Sequence, residues 1–186
     1  MARAMNREDN VEIVELTKNA ACLKEIGSKY TASHYYSVSV FRKPEGWQIE
    51  LTRKAFGEIL EKNYRGRLFE DHIQEPRVFV ARVGNDEVGW IELGYDRWNN
   101  RMRVWEFLVA EGFRKRGIGT LLMNQAVRIA RERGARMLVL ETQTNNSAAI
   151  DFYLKFRFEL IGFDKAAYSN DDVEKREVRL EMGFTL

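Results

Sequence analysis

The chain has one cysteine, two prolines, two histidines and no long apolar run. Each shortage closes off a class of protein. A single thiol, Cys22, can form no intramolecular disulfide and no cysteine-rich zinc site, and it fits a reducing compartment. His34 and His72 have no partners at metal-ligand spacing, so they read as loop histidines and no metal is expected. No segment approaches the ~20 apolar residues needed to span a bilayer. Residues 1–10 are polar and charged, without the apolar stretch of a secretory signal. Net charge is only +2 over 186 residues, so no bulk field draws the chain to nucleic acid or membrane. The expectation is a cytoplasmic protein of one domain, residues 1–186, with residues 1–30 as an extension or variable segment.

Internal repeats and low-complexity tracts are also absent, and Pro44 and Pro76 only punctuate loops. Before residue 77 the signals are weak. Residues 11–16 alternate faintly, and 18–26 reads as a short helix stopped by Gly27. Residues 35–41 and 47–51 read as strands around a turn at Pro44-Glu45-Gly46. Residues 52–63 read as a helix, with Thr52 as its cap and Ala55, Ile59 and Leu60 on one stripe. Residues 69–73 suggest another helical turn.

From residue 77 the pattern sharpens. Segments 77–83, 88–95 and 102–110 read as strands, joined by Gly84-Asn85-Asp86-Glu87 and a polar turn at 97–101. This is an antiparallel meander. The period then changes: Ile118, Leu121, Leu122, Ala126, Ile129 and Ala130 fall at helical spacing, and Gly134 stops the run. Residues 137–140 form the continuous apolar run of a strand buried on both faces. A helix at 146–156 and strands at 159–163 and 177–184 follow. The fold class is therefore α/β with a mixed sheet: a meander, then β-α-β-α-β, with helices on both faces.

Between the third meander strand and the first clear helix stands Arg114-Lys115-Arg116-Gly117-Ile118-Gly119. Glycines without Cβ let backbone N–H groups approach an anion, and a helix start adds unpaired donors and a positive dipole end. Arg114 and Arg116 add charge. The plain alternative is a strand-to-helix loop with a basic rim. The dinucleotide fingerprint lacks its first glycine here, and no Gly-Lys-Ser/Thr of a Walker loop is present.

Arg114-x-x-Gly117-x-Gly119, followed by an amphipathic helix, resembles the hallmark of the GCN5-related N-acetyltransferase (GNAT) superfamily. A second hallmark lies downstream: Asn146-Ser147-Ala148-Ala149-Ile150-Asp151-Phe152-Tyr153 is similar to Asn-x-x-Ala-x-x-Phe-Tyr. Within the superfamily, 140–146, Gly162-Phe163-Asp164, Tyr168 and Trp98-Asn99 look similar to streptothricin acetyltransferases. The chain departs from the family where Arg157-Phe158 replaces the usual Gly-Phe. The resemblance covers 77–165 well and the first 75 residues poorly.

The resemblance implies a splayed central sheet and acetyl-coenzyme A as co-substrate. Arg114, Lys115, Arg116, Gly117, Ile118, Gly119 and Thr120 would hold its pyrophosphate. The backbone of Leu108, Val109 and Ala110 would meet its pantetheine arm, on a strand that carries a bulge. The Val109 N–H would face the acetyl oxygen. Asn146 would reach the same arm, besides capping its helix. Tyr153 takes the family's general-acid position, against a core tyrosine as the plain alternative.

Amide formation from a thioester needs a deprotonated amine, a polarised carbonyl and a proton for the thiolate. Glu106 is the first candidate base; alternation would place it on one face with Val104 and Leu108. A salt-bridged strand residue is the alternative. Glu141 is the second candidate carboxylate, or a ligand for the substrate's amine. Tyr35, Tyr36, Trp47, Trp98 and Tyr168 are candidate walls of an acceptor pocket, or core. Glu75, Glu92, Glu106 and Glu141 are the acids that a cationic acceptor would use. Arg128, Arg131, Arg133 and Arg136 read as a solvated helix face before a nucleic-acid stripe. The functions in play are acetylation of a streptothricin-type antibiotic, acetylation of a protein N-terminus, lysine or polyamine, and acyl-CoA binding without turnover. A homodimer through the strand at 177–184 is a further expectation of the resemblance.

Overall fold

The computed structural model describes residues 10–21 and 23–186; Cys22 and the polar start at 1–9 lie outside them. The elements are β1 (Val11–Leu16), α1 (Lys18–Ala21), β2 (Glu25–Lys43), β3 (Gly46–Arg67), β4 (Arg77–Val83), β5 (Asp86–Asp96) and β6 (Arg101–Val109), then a 3-10 turn (Glu111–Phe113), α2 (Ile118–Glu132), β7 (Met137–Gln143), α3 (Ser147–Lys155), β8 (Glu159–Asp164) and β9 (Arg179–Thr185). The expected mixed α/β architecture is found, with the meander in β4–β6 and strands alternating with helices from β6 onward. The chain divides into two compact units: Met1–Tyr30, Asn63–Val139 and Thr185–Leu186 in one, Thr31–Lys62 and Leu140–Phe184 in the other.

In the first unit the strands run β1-β4-β5-β6, each pair antiparallel. β4 is the most apolar of them: Val78, Phe79, Val80 and Ala81 are all buried. β-Branched and aromatic side chains suit this pleated, two-sided environment. The β4–β5 connection is the two-residue turn Gly84-Asn85, so Val83 pairs with Asp86. α2 packs on β4, β5 and β6 through Ile118, Leu122, Met123, Ala126, Ile129 and Ala130. Burying each large side chain there stabilises by about 1.5–3 kcal/mol. Leu121, one residue out of phase, is largely exposed instead. A second cluster joins Ile26, Leu68, Phe69, Val78 and Leu108.

The β5–β6 ladder is irregular at one point. Leu93 pairs with Val104 but Glu92 pairs with Glu106, so Trp105 is the extra residue of a bulge. The bulge breaks the alternation that would have set Val104, Glu106 and Leu108 on one face. It also re-aims β6 where the resemblance expects an irregular strand.

In the second unit β9 lies between β7 and β8, and β8 and β9 are antiparallel. The dimer contact expected through the last strand therefore has no free edge on β9; the open edge is that of β8. Phe156, Phe158 and Phe184 pack ring to ring near the end of α3.

Three expectations from the first 75 residues are corrected. The helix at 18–26 is only the four-residue α1, and Glu25 already begins β2. Residues 52–63 are strand, inside β3, and the apparent helical stripe has no helix beneath it. Gly57 sits there at φ +86°, which an α-helix interior does not accommodate. Residues 69–73 form turns and bends, with no helix. β2 and β3 pair only with each other, around the turn at 44–45.

Candidate active site

The turn at 114–119 opens α2 on a left-handed glycine, and the Arg114 side chain is engaged within the chain. Gly117 caps α2 at φ +85°, a left-handed conformation that costs a side chain 1–2 kcal/mol, and a Cβ there would meet open space. The first helical bond runs from the Leu121 N–H to the Gly117 carbonyl, so the N–H groups of Ile118, Gly119 and Thr120 precede the helical ladder. Lys115 and Arg116 are exposed beside them, Arg116 over the Phe113 ring at 5.3 Å. These features suit an anion. Arg114 is held differently. Its Nε donates to the Val109 carbonyl at 3.0 Å, and its terminal nitrogen donates to the Ser28 hydroxyl and, at 2.6 Å, to the Lys29 carbonyl. Its guanidinium is a clamp between the turn, β6 and β2.

On β6 the Ala110 N–H donates to the Val88 carbonyl at 2.9 Å. Bonded and non-bonded pairs alternate along an antiparallel ladder. Leu108 therefore turns its backbone groups toward β5 as Ala110 does. Val109, opposite Gly89, turns its N–H to the other side. Of the three residues, only Val109 has the orientation that the resemblance requires.

Glu106 lies in an acidic group that sequence reasoning only half found. The Tyr64 hydroxyl, at the end of β3, donates to its Oε2 at 2.6 Å. Glu92 is its cross-strand partner, 0% exposed, and accepts from the Phe69 N–H at 2.7 Å through Oε1. Burial pushes Glu106 up to about 7; the Tyr64 donor pulls it down and the charge of Glu70 pushes it up further. Burial also pushes Glu92 up to about 7, against the Phe69 amide and with the charges of Glu106 and Glu70. Gly66 backs the group: a Cβ there would stand 2.5 Å from Oε1 of Glu106. Tyr64, Gly66 and Glu70 were missed because they follow a segment read as helix. Phe69, at φ +62°, stands at the start of the segment read as a helical turn, and its amide gave no sign of a carboxylate partner.

The other acids are committed elsewhere. Glu75 is bound by Arg97 at 2.5 Å and by Arg133 at 3.1 Å. In the second unit Glu141 accepts from the Tyr168 hydroxyl at 2.5 Å and pairs with Arg179 at 3.0 Å. Gln143 donates to the same hydroxyl, whose pKa burial raises. Glu141 and Tyr168 thus come together, as a bonded pair. The Tyr36 N–H donates to the Thr144 carbonyl at 2.9 Å, and Tyr35 packs on Phe56 under Arg176. Trp98, in the turn before β6, is 85% exposed and walls no enclosed space. Three of the four arginines on and after α2 have partners within the chain: Arg128 with Glu132, Arg133 with Glu75 and over Tyr95, and Arg136 with the Asn99 carbonyl.

In the second unit Asn146 caps α3, its Oδ1 accepting from the Ala149 N–H at 3.3 Å. Tyr153 is 6% exposed, edge-on to Phe152 and packed on Phe158. Burial raises its pKa, so the phenol holds its proton at any physiological pH. A surface cavity of about 360 Å³ lies elsewhere in the first unit, along Tyr95, Met102, Ile129 and Arg133, and includes neither Glu106 nor the turn.

Comparison with known proteins places this geometry. Over 96 residues the chain is 42% identical to a streptothricin acetyltransferase of Streptomyces lavendulae, covering 50% of each. Over 92 residues it is 35% identical to streptothricin acetyltransferase A of Bacillus subtilis strain 168, covering 50% of this chain and 53% of the relative. It thus spans about half the length of each. A crystal structure of nourseothricin acetyltransferase superposes with a TM-score of 0.73 at 27% identity, over 94% of this chain and 98% of the other. A Bacillus anthracis protein solved with acetyl coenzyme A shares the fold, with a TM-score of 0.72 at 24% identity over 96% and 98%. The model of the Acetyltransferase (GNAT) family matches residues 38–158, more than half of the chain, with both hallmark motifs inside that span; the chain belongs to the acetyltransferase (GNAT) family.

Proposed function

We propose that this chain is an acetyl-CoA-dependent N-acetyltransferase for a primary amine on a cationic small molecule of the streptothricin type. The observation that carries the reading is Glu106: a carboxylate on the bulged strand, bonded by Tyr64 and pushed up to about 7, the range of a working general base. The two relatives named as streptothricin acetyltransferases support the acceptor class, as does the surplus of acid around Glu106.

Acetyl-CoA, when bound, supplies the acetyl thioester. The donors of Ile118, Gly119 and Thr120, with Lys115 and Arg116, would hold its pyrophosphate, and Asn146 its pantetheine arm. Glu106 takes the proton of the acceptor's ammonium. The freed nitrogen lone pair then forms the C–N bond as the C–S bond breaks. The Val109 N–H donates to the carbonyl oxygen while it carries charge. Tyr153, kept protonated by burial, would pass its proton to the departing sulfur while the second proton of the acceptor nitrogen replaces it on the phenol, so that thiol and neutral amide leave with one proton on Glu106. Tyr36, Glu141, Tyr168 and Trp98 are the proposed acceptor contacts. The same reading has the enzyme working in the cytoplasm; among the described residues no helix is long and apolar enough to cross a membrane. A homodimer belongs to the same reading.

The test follows free thiol from acetyl-CoA against a panel of amines: streptothricin, a polyamine, lysine and an N-terminal peptide. Thiol release with streptothricin is expected. Release with another amine alone would move the acceptor. Tight binding of acetyl-CoA without release from any amine would leave only a binding module.

A further inference from the structure

Glu92 takes no part in the proton transfer described so far, yet burying a carboxylate is costly. It sits mid-strand on β5, fully buried, and its Oε2 has no hydrogen-bond partner. Its Cα partner is Glu106. Directly opposed residues in an antiparallel ladder have Cβ atoms about 4.5–5.5 Å apart, and like charges there repel. Glu92 is out of water and Glu106 only partly exposed, so ionising both carboxylates at this spacing is unfavourable and one proton on the pair relieves it.

The groups around the pair come from several elements. Tyr64 on β3 donates to Glu106, and the Phe69 N–H to Glu92. Glu70, in the segment after β3, adds a third carboxylate felt by both. His72 lies 3.8 Å from Glu70 and edge-on to Trp105 on β6. Arg103 covers the Trp105 ring at 5.6 Å and is offset by Asp96 at 3.5 Å.

We propose that Glu92 is a positioning residue for the base: it shares one proton with Glu106 across the ladder, so that the pair, not Glu106 alone, receives the proton of the acceptor amine. This rests on Glu106 being the base. At rest the pair holds one proton and one negative charge. The ammonium N–H bond breaks, its proton joins the pair, and the pair becomes neutral with two protons. After transfer one proton returns to water. The bond from Glu92 to Phe69 fixes the 68–70 segment, and with it Glu70, beside the pair.

The test is a carboxyl titration of protein labelled with 13C at glutamate Cδ, without cofactor or amine. In Glu92→Gln the Glu106 resonance is expected to titrate in one step, its midpoint lowered by on the order of one pH unit. An unchanged Glu106 curve overturns the proposal. Should that variant fail to fold, Glu106→Gln decides: the Glu92 midpoint falls by a similar amount, or the proposal fails. In the active enzyme, the acid limb of kcat/KM for Glu92→Gln is expected to move down with the Glu106 midpoint; a limb that stays put also overturns it. If no amine is acetylated by the unaltered protein, the base reading falls, and the titration alone judges the shared proton.

Discussion

The Tyr64 hydroxyl donates to Oε2 of Glu106 at 2.6 Å, so a residue at the end of β3 tunes the proposed base on β6. A donor favours the charged carboxylate, and its removal raises the pKa. Tyr64→Phe is therefore expected to raise the Glu106 pKa above about 7 by roughly one unit, which converts to about 1.4 kcal/mol. Activity at pH 7 falls about fivefold, with the ionised fraction of the base, and returns as pH rises. A pH profile of kcat/KM checks it; an unshifted acid limb removes Tyr64 from the tuning.

Gly66→Ala separates position from stability. The added Cβ would stand 2.5 Å from Oε1 and 2.6 Å from Oε2 of Glu106, the far end of a flexible side chain that Tyr64 also holds. The carboxylate moves and the fold stays. The expected result is a loss of kcat of tenfold or more, with a change in unfolding free energy of about 1 kcal/mol or less. Urea unfolding alongside turnover measures both.

Glu92 makes stability depend on pH with a definite sign. Its folded pKa, about 7, lies above its ordinary 4.5, so the folded chain holds more protons than the unfolded chain between those values. That contribution is complete below about pH 4.5 and is lost as pH rises through about 7. Glu92→Gln does not titrate. Its stability relative to the parent is expected to improve from pH 5 to pH 8 by roughly 2 kcal/mol. Urea midpoints at the two values check this, and a constant difference contradicts it.

Arg157 occupies the position at the end of α3 that Gly134 occupies at the end of α2. In both, the next two N–H groups bond back in the same pattern: Gly134 to Arg131 and Ala135 to Ala130, Arg157 to Leu154 and Phe158 to Tyr153. Gly134 takes φ +73° freely, whereas Arg157 takes φ +74° with a side chain. Arg157→Gly is expected to stabilise by about 1 kcal/mol, read as a higher Tm with activity retained. The left-handed backbone at 157 is thus one a glycine would take freely.

The legible part of the sequence was the part that packs against a core. α2 and α3 take period 3.6 because the core accepts their apolar groups from one side, and the meander shows in continuous apolar runs such as 78–81, buried on both faces. β3 has little such constraint. It leaves Trp47, Ile49 and Ile59 exposed, so no clear alternation survives there, and Ala55, Ile59 and Leu60 fell at helical spacing without a helix. The site followed the same line. Arg114 to Gly119 and Asn146 to Tyr153 are contiguous and readable. The acidic group joins Tyr64, Gly66, Phe69, Glu92 and Glu106 across three segments, and only register reveals it.

The Arg114 clamp has a consequence for recombination. The most recognisable motif in the chain is tied by one side chain to Ser28 and Lys29, in the stretch that resembles the family least. A chimera that grafts a foreign amino-terminal third onto this chain, to change its acceptor, would import a new neighbour for that guanidinium. Grafts that keep a hydroxyl at 28 and a carbonyl in register at 29 should inherit the cofactor affinity of the parent. Grafts that do not should lose it without any change in the motif itself.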